Sequence, residues 1–365
     1  MPIESLFEPF VIKGLALKNR IVMAPMTRSY SPHGIPTAEV ASYYRRRAEN
    51  EVGLIITEGT VVGRPAAAGD PAVPHFYGDA LPAWGEVLHQ VHGAGGKIAP
   101  QLWHVGAQRD ARHPQYQPQP IDSPSGLAGP GVPVGEPMTD SMVADTLSAF
   151  SASAAAARQL GFDAVELHGA HGYLLDQFFW EGTNVRMDHW GGASIKERAR
   201  FAAAVVHAVR LAIGPQMPLI LRLSQWKIGN FDVKIAHTPD ELQAWLEPLA
   251  TAGVDIFHCS QRRYWEPEFA GSDLNFAGWA KKLTGKPSIT VGSVGLSGEF
   301  IGSFRGEKSH STGVDELVRR LERGDFDLVA VGRALLGDPA WARKVRDGGA
   351  ATLQAFDPQA LATLY

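Results

Sequence analysis

The chain has 365 residues, 45% hydrophobic and 20% charged, with a formal net charge of −4. That balance is typical of a soluble globular protein and offers no basic surface for nucleic acid or an anionic membrane. A single cysteine, Cys259, excludes an internal disulfide and a cysteine-ligated iron–sulfur cluster, and a reducing cytoplasm is the expected setting.

The opening segment MPIESLFEPF lacks the basic and then apolar regions of a secretory signal. No apolar run approaches the roughly 18 residues of a membrane span. RIVMAP (20–25) reads as the first strand, and TAEVASYYRRRAEN (37–50) as the helix after it. GLIITEG (53–59) is the second strand, and the cluster GAGG (93–96) stops a helix just before the third, KIAPQL (97–102). The helical pattern DTLSAFSASAAAARQL (145–160) leads into DAVELHG (163–169), and IKERARFAAAVVHAVRLA (195–212) into PLILRLS (218–224). TPDELQAWLEPLATAG (238–253), with Thr238 and Glu241 spaced as a capping box, precedes VDIFHCS (254–260). SITVGS (288–293), the helix GVDELVRRLERG (313–324) and DLVAVGR (327–333) complete the series.

These strands are continuous apolar runs, as expected when both faces are buried. Eight of them interleaved with helices predict an α/β fold, a (β/α)8 TIM barrel formed by residues 1–365 as a single domain. A doubly wound open sheet is the competing layout. It is disfavoured because no Gly-rich dinucleotide turn follows any strand. Two long loops, 105–140 and 261–278, interrupt the repeat. The first is rich in Pro and Gly over 112–137, and the second is aromatic and charged. Both follow strand C-termini, where barrel sites lie, so both should border the site.

The strand ends converge in such a barrel. They supply Ala24, Pro25, Met26 and Thr27; Glu58 and Gly59; Gln101; His168 and His171; Arg222; Cys259; Gly292 and Ser293; and Gly332 and Arg333. Metal-dependent hydrolysis would want three or four His, Asp or Glu ligands there, yet one strand supplies both histidines. His104 lies on the loop after strand three, with no carboxylate or cysteine beside it in sequence. A metal pair, a packed pair and a grip on a substrate oxygen are therefore the three readings of His168 and His171, and no metal site is expected. Glycoside hydrolysis would want a second carboxylate facing Glu58, and Schiff-base chemistry a strand-end lysine. The set suits a planar, hydrogen-bonding, phosphate-bearing cofactor, because barrels commonly bind phosphate at the ends of strands seven and eight.

At this point the motifs carry a resemblance. The most specific segment is HGAHGYLLDQFFWEGTNVRMDHWGG (168–192), followed by SIKERARF (194–201). TEGT (57–60), QLWHVG (101–106), LRLS (221–224) and VGSVG (291–295) occur with it in order. The chain resembles, nearly end to end, the Old Yellow Enzyme family of FMN-dependent ene-reductases. The resemblance implies FMN at the C-terminal mouth of the barrel and NAD(P)H as reductant. It implies reduction of the C=C bond of α,β-unsaturated carbonyl compounds by a ping-pong mechanism, with nitro compounds and nitrate esters as further acceptors. Another FMN barrel oxidoreductase, such as a hydroxy-acid oxidase, is the alternative.

By the same resemblance, Thr27 hydrogen-bonds the flavin near C4=O, and Ala24, Pro25 and Met26 line the ring. Gly59 leaves room for the ring, Gln101 meets its pyrimidine edge and Arg222 lies by N1 and O2. Gly292, Ser293, Gly332 and Arg333 hold the phosphate. His168 and His171 donate to the substrate carbonyl, with His168 also near the flavin. Tyr173 protonates Cα, and Trp103 and Tyr264 shape the substrate pocket. Tyr30 and Trp265 are further candidates for its border. Thr27 stands where other members carry cysteine, so the chain falls in the threonine-type subgroup. The partners implied are small molecules only, for a monomer or homodimer.

Overall fold

The computed structural model of the chain describes residues 3–109, 113, 116, 120–298, 302 and 306–365. Eight strands close a barrel. They are β1 Ile21–Met23, β2 Leu54–Val61, β3 Lys97–Trp103, β4 Val165–His171, β5 Leu219–Lys227, β6 Ile256–Ser260, β7 Ser288–Val291 and β8 Leu328–Val331. Each pairs in parallel with the next, and β8 returns to β1. This is the (β/α)8 barrel that the sequence predicts.

Two apolar cores hold it together. Inside the barrel, Val22, Leu54, Ile56, Ala99, Ala164, Ile220, Ile256, Ile289, Leu328 and Ala330 form an apolar plug. An antiparallel hairpin, Phe10–Ile12 with Leu15–Leu17, adds Leu15 and Leu17 to that cluster. It precedes β1, so it caps the N-terminal end of the barrel and leaves the C-terminal end as the open mouth. The second, larger core lies between the strands and the surrounding helices. Thr37, Thr139 and Asn275 start three of those helices by accepting the N–H groups of Val40, Met142 and Gly278.

Several boundaries differ from the sequence reading. The helix expected over 195–212 is two helices, Ile195–Arg198 and Arg200–Ile213. Ser194 and Glu197 form a complete capping box on the first. At Thr238 only half of the predicted box forms: Thr238 accepts from the N–H of Glu241, but the Glu241 carboxylate accepts from the N–H of His237. β4 and β5 run on to His171 and Lys227, beyond the ends read at 169 and 224. A register shift between Gly169 and His171 accompanies this extension. It carries the second histidine to the mouth as part of a strand. Within loop 105–140, residues 110–112, 114–115 and 117–119 lie outside the described residues; a hairpin of Leu127–Gly129 and Val132–Pro133 occupies part of the rest.

Candidate active site

The two histidines and the tyrosine converge at the mouth. The His168 ring lies 5.2 Å from that of His171 and 4.9 Å from that of Tyr173, edge-on to both. Trp103, at the end of β3, stands 4.8 Å from Tyr173 and 6.2 Å from His168. Burial, then the positive charge of Arg222, push both imidazoles well below their ordinary pKa, so both are neutral at pH 7. The Nδ1 of His168 accepts the N–H of Ala170, which leaves Nε2–H as the donor on that ring. His171 is held on three sides. Its N–H bonds the Oγ of Ser224 at 2.8 Å, its Nε2 lies 2.8 Å from the Oγ of Ser260, and Trp226 covers one ring face at 4.4 Å.

Arg222 stands beside them, in register with His168 on β4 and His258 on β6. Burial lowers its pKa to about 10, yet it remains charged at neutral pH. Among the described residues its guanidinium makes one hydrogen bond, a long one of 3.4 Å to the carbonyl of Pro25, and its Nε has no partner. A buried cation so poorly satisfied is costly unless an anionic or strongly accepting group meets it. Below it, Gln101 donates from Nε2 to Glu166 at 2.7 Å, and Glu166 also bonds Nδ1 of His258 at 2.7 Å. The Gln101 amide is thereby fixed with its nitrogen on Glu166, leaving its oxygen as an acceptor.

The segment after β1 carries Thr27 exposed at the mouth, with Ala24 and Pro25 buried behind it. Glu58 fixes this segment. Its Oε2 accepts the N–H groups of Arg28 at 2.8 Å and Ser29 at 3.2 Å, while its Oε1 is buried with no partner. At the far side, β7 is followed by Gly292 at φ 144 and Ser293 at φ 52. A Cβ on Gly292 would lie 2.5 Å from the carbonyl oxygen of Gln261, so only glycine fits. Arg333 donates to the carbonyl of Gly298 at 2.8 Å and to Ser293 at 3.4 Å, tying the ends of β7 and β8 together. Gly332 faces Met26 and Ala24: a Cβ there would meet them at 3.5 and 3.8 Å.

Two sequence readings, those of Tyr264 and His104, need correction, and Gly59 gains a neighbour. Tyr264 is not a pocket residue. It is 5% exposed, its ring meets Trp265 at 5.1 Å, and its phenol is turned to the helix Asp315–Glu322, where burial raises its pKa to about 12. Gly59 also makes room for Trp103: a Cβ there would sit 2.7 Å from that indole. His104 does have a carboxylate beside it, because Asp122 returns from the Pro-rich loop to bond its Nε2 at 2.8 Å and also pairs with Arg64. The Nδ1 of His104 accepts the N–H of Gly106, so both ring nitrogens are occupied. No group of three His, Cys, Asp or Glu suited to a metal is found among the described residues.

The structure also adds residues that the sequence reading missed. Ser224, Trp226 and Ser260 hold His171, and Glu166 with His258 supports Gln101. Lys227 and Asp176 form a buried ion pair at 2.9 Å, and Asp176 accepts the N–H of Gly172, fixing the turn between His171 and Tyr173. Ser260 and Trp226 lie near strand ends already singled out, but only the register brings them to His171.

Both the sequence and the fold match known proteins. Residues 5–351 match the model of the NADH:flavin oxidoreductase / NADH oxidase family. The chain is 32% identical to 12-oxophytodienoate reductase 7 of Oryza sativa over 361 residues, covering 93% of this chain and 87% of that one. It superposes on morphinone reductase in complex with tetrahydroNAD with a TM-score of 0.81 at 29% identity, covering 98% of this chain and 94% of that one. It also superposes on the Old Yellow Enzyme homologue from Zymomonas mobilis with a TM-score of 0.80 at 26% identity, covering 98% and 96%. The chain therefore belongs to the NADH:flavin oxidoreductase / NADH oxidase family, the FMN-binding, NAD(P)H-dependent barrel enzymes of the Old Yellow Enzyme kind.

Proposed function

We propose that this protein reduces the C=C bond of α,β-unsaturated carbonyl compounds with NAD(P)H, using FMN held at the barrel mouth. The observation that carries the reading is the pairing of one poorly satisfied buried cation, Arg222, with two neutral imidazoles and a phenol at the same strand ends. The residues fit FMN. Arg222 would meet the electron-rich N1–C2=O edge, and the free oxygen of Gln101 would accept from N3–H. Thr27 would reach the C4=O edge beside Ala24, Pro25 and Met26. The Gly292–Ser293 and Gly332–Arg333 ends would hold the phosphate. When bound, FMN supplies the two-electron carrier between NAD(P)H and the substrate.

The protein's own part is to bind, orient and protonate. His168 and His171 donate to the substrate carbonyl and stabilise the enolate charge that builds there. Donors so placed are worth roughly 2.7–4 kcal/mol each in comparable sites. Tyr173 holds its phenolic proton beside them and gives it to Cα. Trp103 packs against Tyr173 and His168 and narrows the pocket. A hydroxy-acid oxidase would instead need a basic histidine and arginines for a carboxylate. Burial makes both histidines poor bases, and Tyr173 would have no task.

We further take residues 1–365 as one catalytic unit, acting as a monomer or homodimer in the cytoplasm, with loops 105–140 and 261–278 bordering the site. Anaerobic rapid mixing tests the function. NADPH or NADH should bleach the flavin of the purified FMN-loaded protein, and cyclohexenone should restore it. A protein that cannot retain FMN, or whose bleached flavin is not restored by the enone, would overturn the reading.

A further inference from the structure

We propose that Ser260 is a positioning residue that fixes His171 as its Nδ1–H tautomer, so that Nδ1–H is the donor His171 offers to a carbonyl acceptor at the mouth. This deepens the ene-reductase reading and rests on it for the identity of the acceptor. The geometry leaves few alternatives. The His171 backbone sits at φ 67, a left-handed conformation unfavourable to any residue with a Cβ. It is held there because its N–H bonds Ser224, whose hydroxyl in turn donates to the carbonyl of Trp226 at 2.8 Å. The indole of Trp226 then covers one face of the imidazole. With backbone and face fixed, the ring has two polar atoms left. Nε2 meets Ser260, and Nδ1 makes no hydrogen bond to any described residue.

Two proton arrangements are compatible with the contact between Nε2 and Ser260. In the first, Nε2–H donates to the serine oxygen, leaving Nδ1 a bare acceptor. In the second, the serine hydroxyl donates to Nε2, and Nδ1 carries the proton. Ser260 is 4% exposed, and among the described residues its hydroxyl has no acceptor other than Nε2. The first arrangement therefore strands a buried hydroxyl proton, whereas the second satisfies it. The second also gives the pair matching roles: His168 offers Nε2–H because its Nδ1 is occupied by Ala170, and His171 offers Nδ1–H because its Nε2 is occupied by Ser260. The first arrangement would turn a lone pair toward the substrate oxygen and oppose the charge that builds there.

Long-range proton–nitrogen correlation spectra of FMN-loaded protein carrying nitrogen-15 histidine test this directly, with His171 assigned by its loss in His171→Asn. The wild type should show a protonated Nδ1 and a bare Nε2. Ser260→Ala should move the proton toward Nε2, and Ser260→Thr, which keeps the hydroxyl, should restore the wild-type pattern. Cyclohexenone binding to the oxidised protein, read from the flavin absorbance, should weaken about tenfold in Ser260→Ala, the loss of one neutral hydrogen bond, and recover in Ser260→Thr. A wild-type His171 protonated at Nε2 overturns the inference even if no variant folds. So does a Ser260→Ala protein with unchanged tautomer and affinity. An Nδ1–H tautomer in a protein that reduces no enone would refute the ene-reductase reading while leaving the role of Ser260 intact.

Discussion

Replacing Glu58 with glutamine should remove a pH dependence that this carboxyl gives the fold. Burial raises its pKa from an ordinary 4.5 to about 7, although the N–H groups of Arg28 and Ser29 pull the other way. Between those values the unfolded chain has lost the proton and the folded chain still holds it. The folded state then binds more protons, so stability falls as pH rises through the window. The contribution is complete below about pH 4.5 and lost above about pH 7. At about 1.4 kcal/mol per pH unit, the gap amounts to roughly 3 kcal/mol. Glutamine keeps an oxygen for both N–H groups and does not titrate. Urea unfolding of the FMN-loaded proteins, at fixed FMN, measures the difference. From about pH 5 to about pH 8, E58Q should gain roughly 2–3 kcal/mol relative to the wild type. Parallel stability curves for the two proteins would refute the argument that a neutral carboxyl is buried against the Arg28–Ser29 backbone.

Tyr173→Phe should slow enone reduction by about 100-fold or more while leaving flavin reduction by NAD(P)H nearly unchanged, because only the second half-reaction needs a proton at Cα. Rapid mixing separates the two halves, and equal loss in both would count against the tyrosine as acid. Arg222→Met should shift the flavin midpoint potential about 30–60 mV to the negative, the equivalent of roughly 1.5–3 kcal/mol for a hydrogen bond to a charged group. An unchanged potential in a redox titration would detach Arg222 from the flavin. Gly292→Ala should weaken FMN retention and lower the melting temperature, since φ 144 and the Gln261 carbonyl at 2.5 Å leave no place for a Cβ. Dialysis against buffer without FMN, with fluorescence of the released flavin, reads the first effect. Full retention would refute it.

What the sequence made legible was whatever lies in one short segment or at a strand end. His168, His171 and Tyr173 fall in one short segment, and Arg222 lies near the end of an unmistakable apolar run. Their convergence then follows from the barrel alone. The supports were not legible, because each is a contact between distant segments. Glu58 looked like a carboxylate without a partner; its partners are backbone N–H groups about 30 residues away, which leave no mark in side-chain identity. Asp122 reaches His104 and Arg64 only because a Pro-rich loop doubles back. Tyr264 was misread for the opposite reason. Aromatic residues in a loop after β6 could border the mouth or pack against the barrel's outer helices, and here the tyrosine packs against residues 315–322.

The charge pattern of the mouth follows from these same contacts. Among the described residues, the other ionisable groups that act on the histidines have close partners. Lys227 is paired with Asp176, and His258 with Glu166. Arg222 differs, with one long bond to a carbonyl and Glu166 as its main electrostatic counterweight. A site arranged this way leaves a poorly hydrogen-bonded positive charge at the mouth and keeps the adjacent imidazoles uncharged. Neutral imidazoles can give a hydrogen bond to a developing enolate without surrendering the proton to it, which in the proposed reaction leaves proton delivery to Tyr173. If His168 or His171 were cationic, an imidazolium would act as an acid at the enolate oxygen, while Cα would still need its own proton. The division of labour proposed for the site, neutral donors at oxygen and Tyr173 as acid at Cα, rests on the burial and the Arg222 charge that hold both histidines neutral.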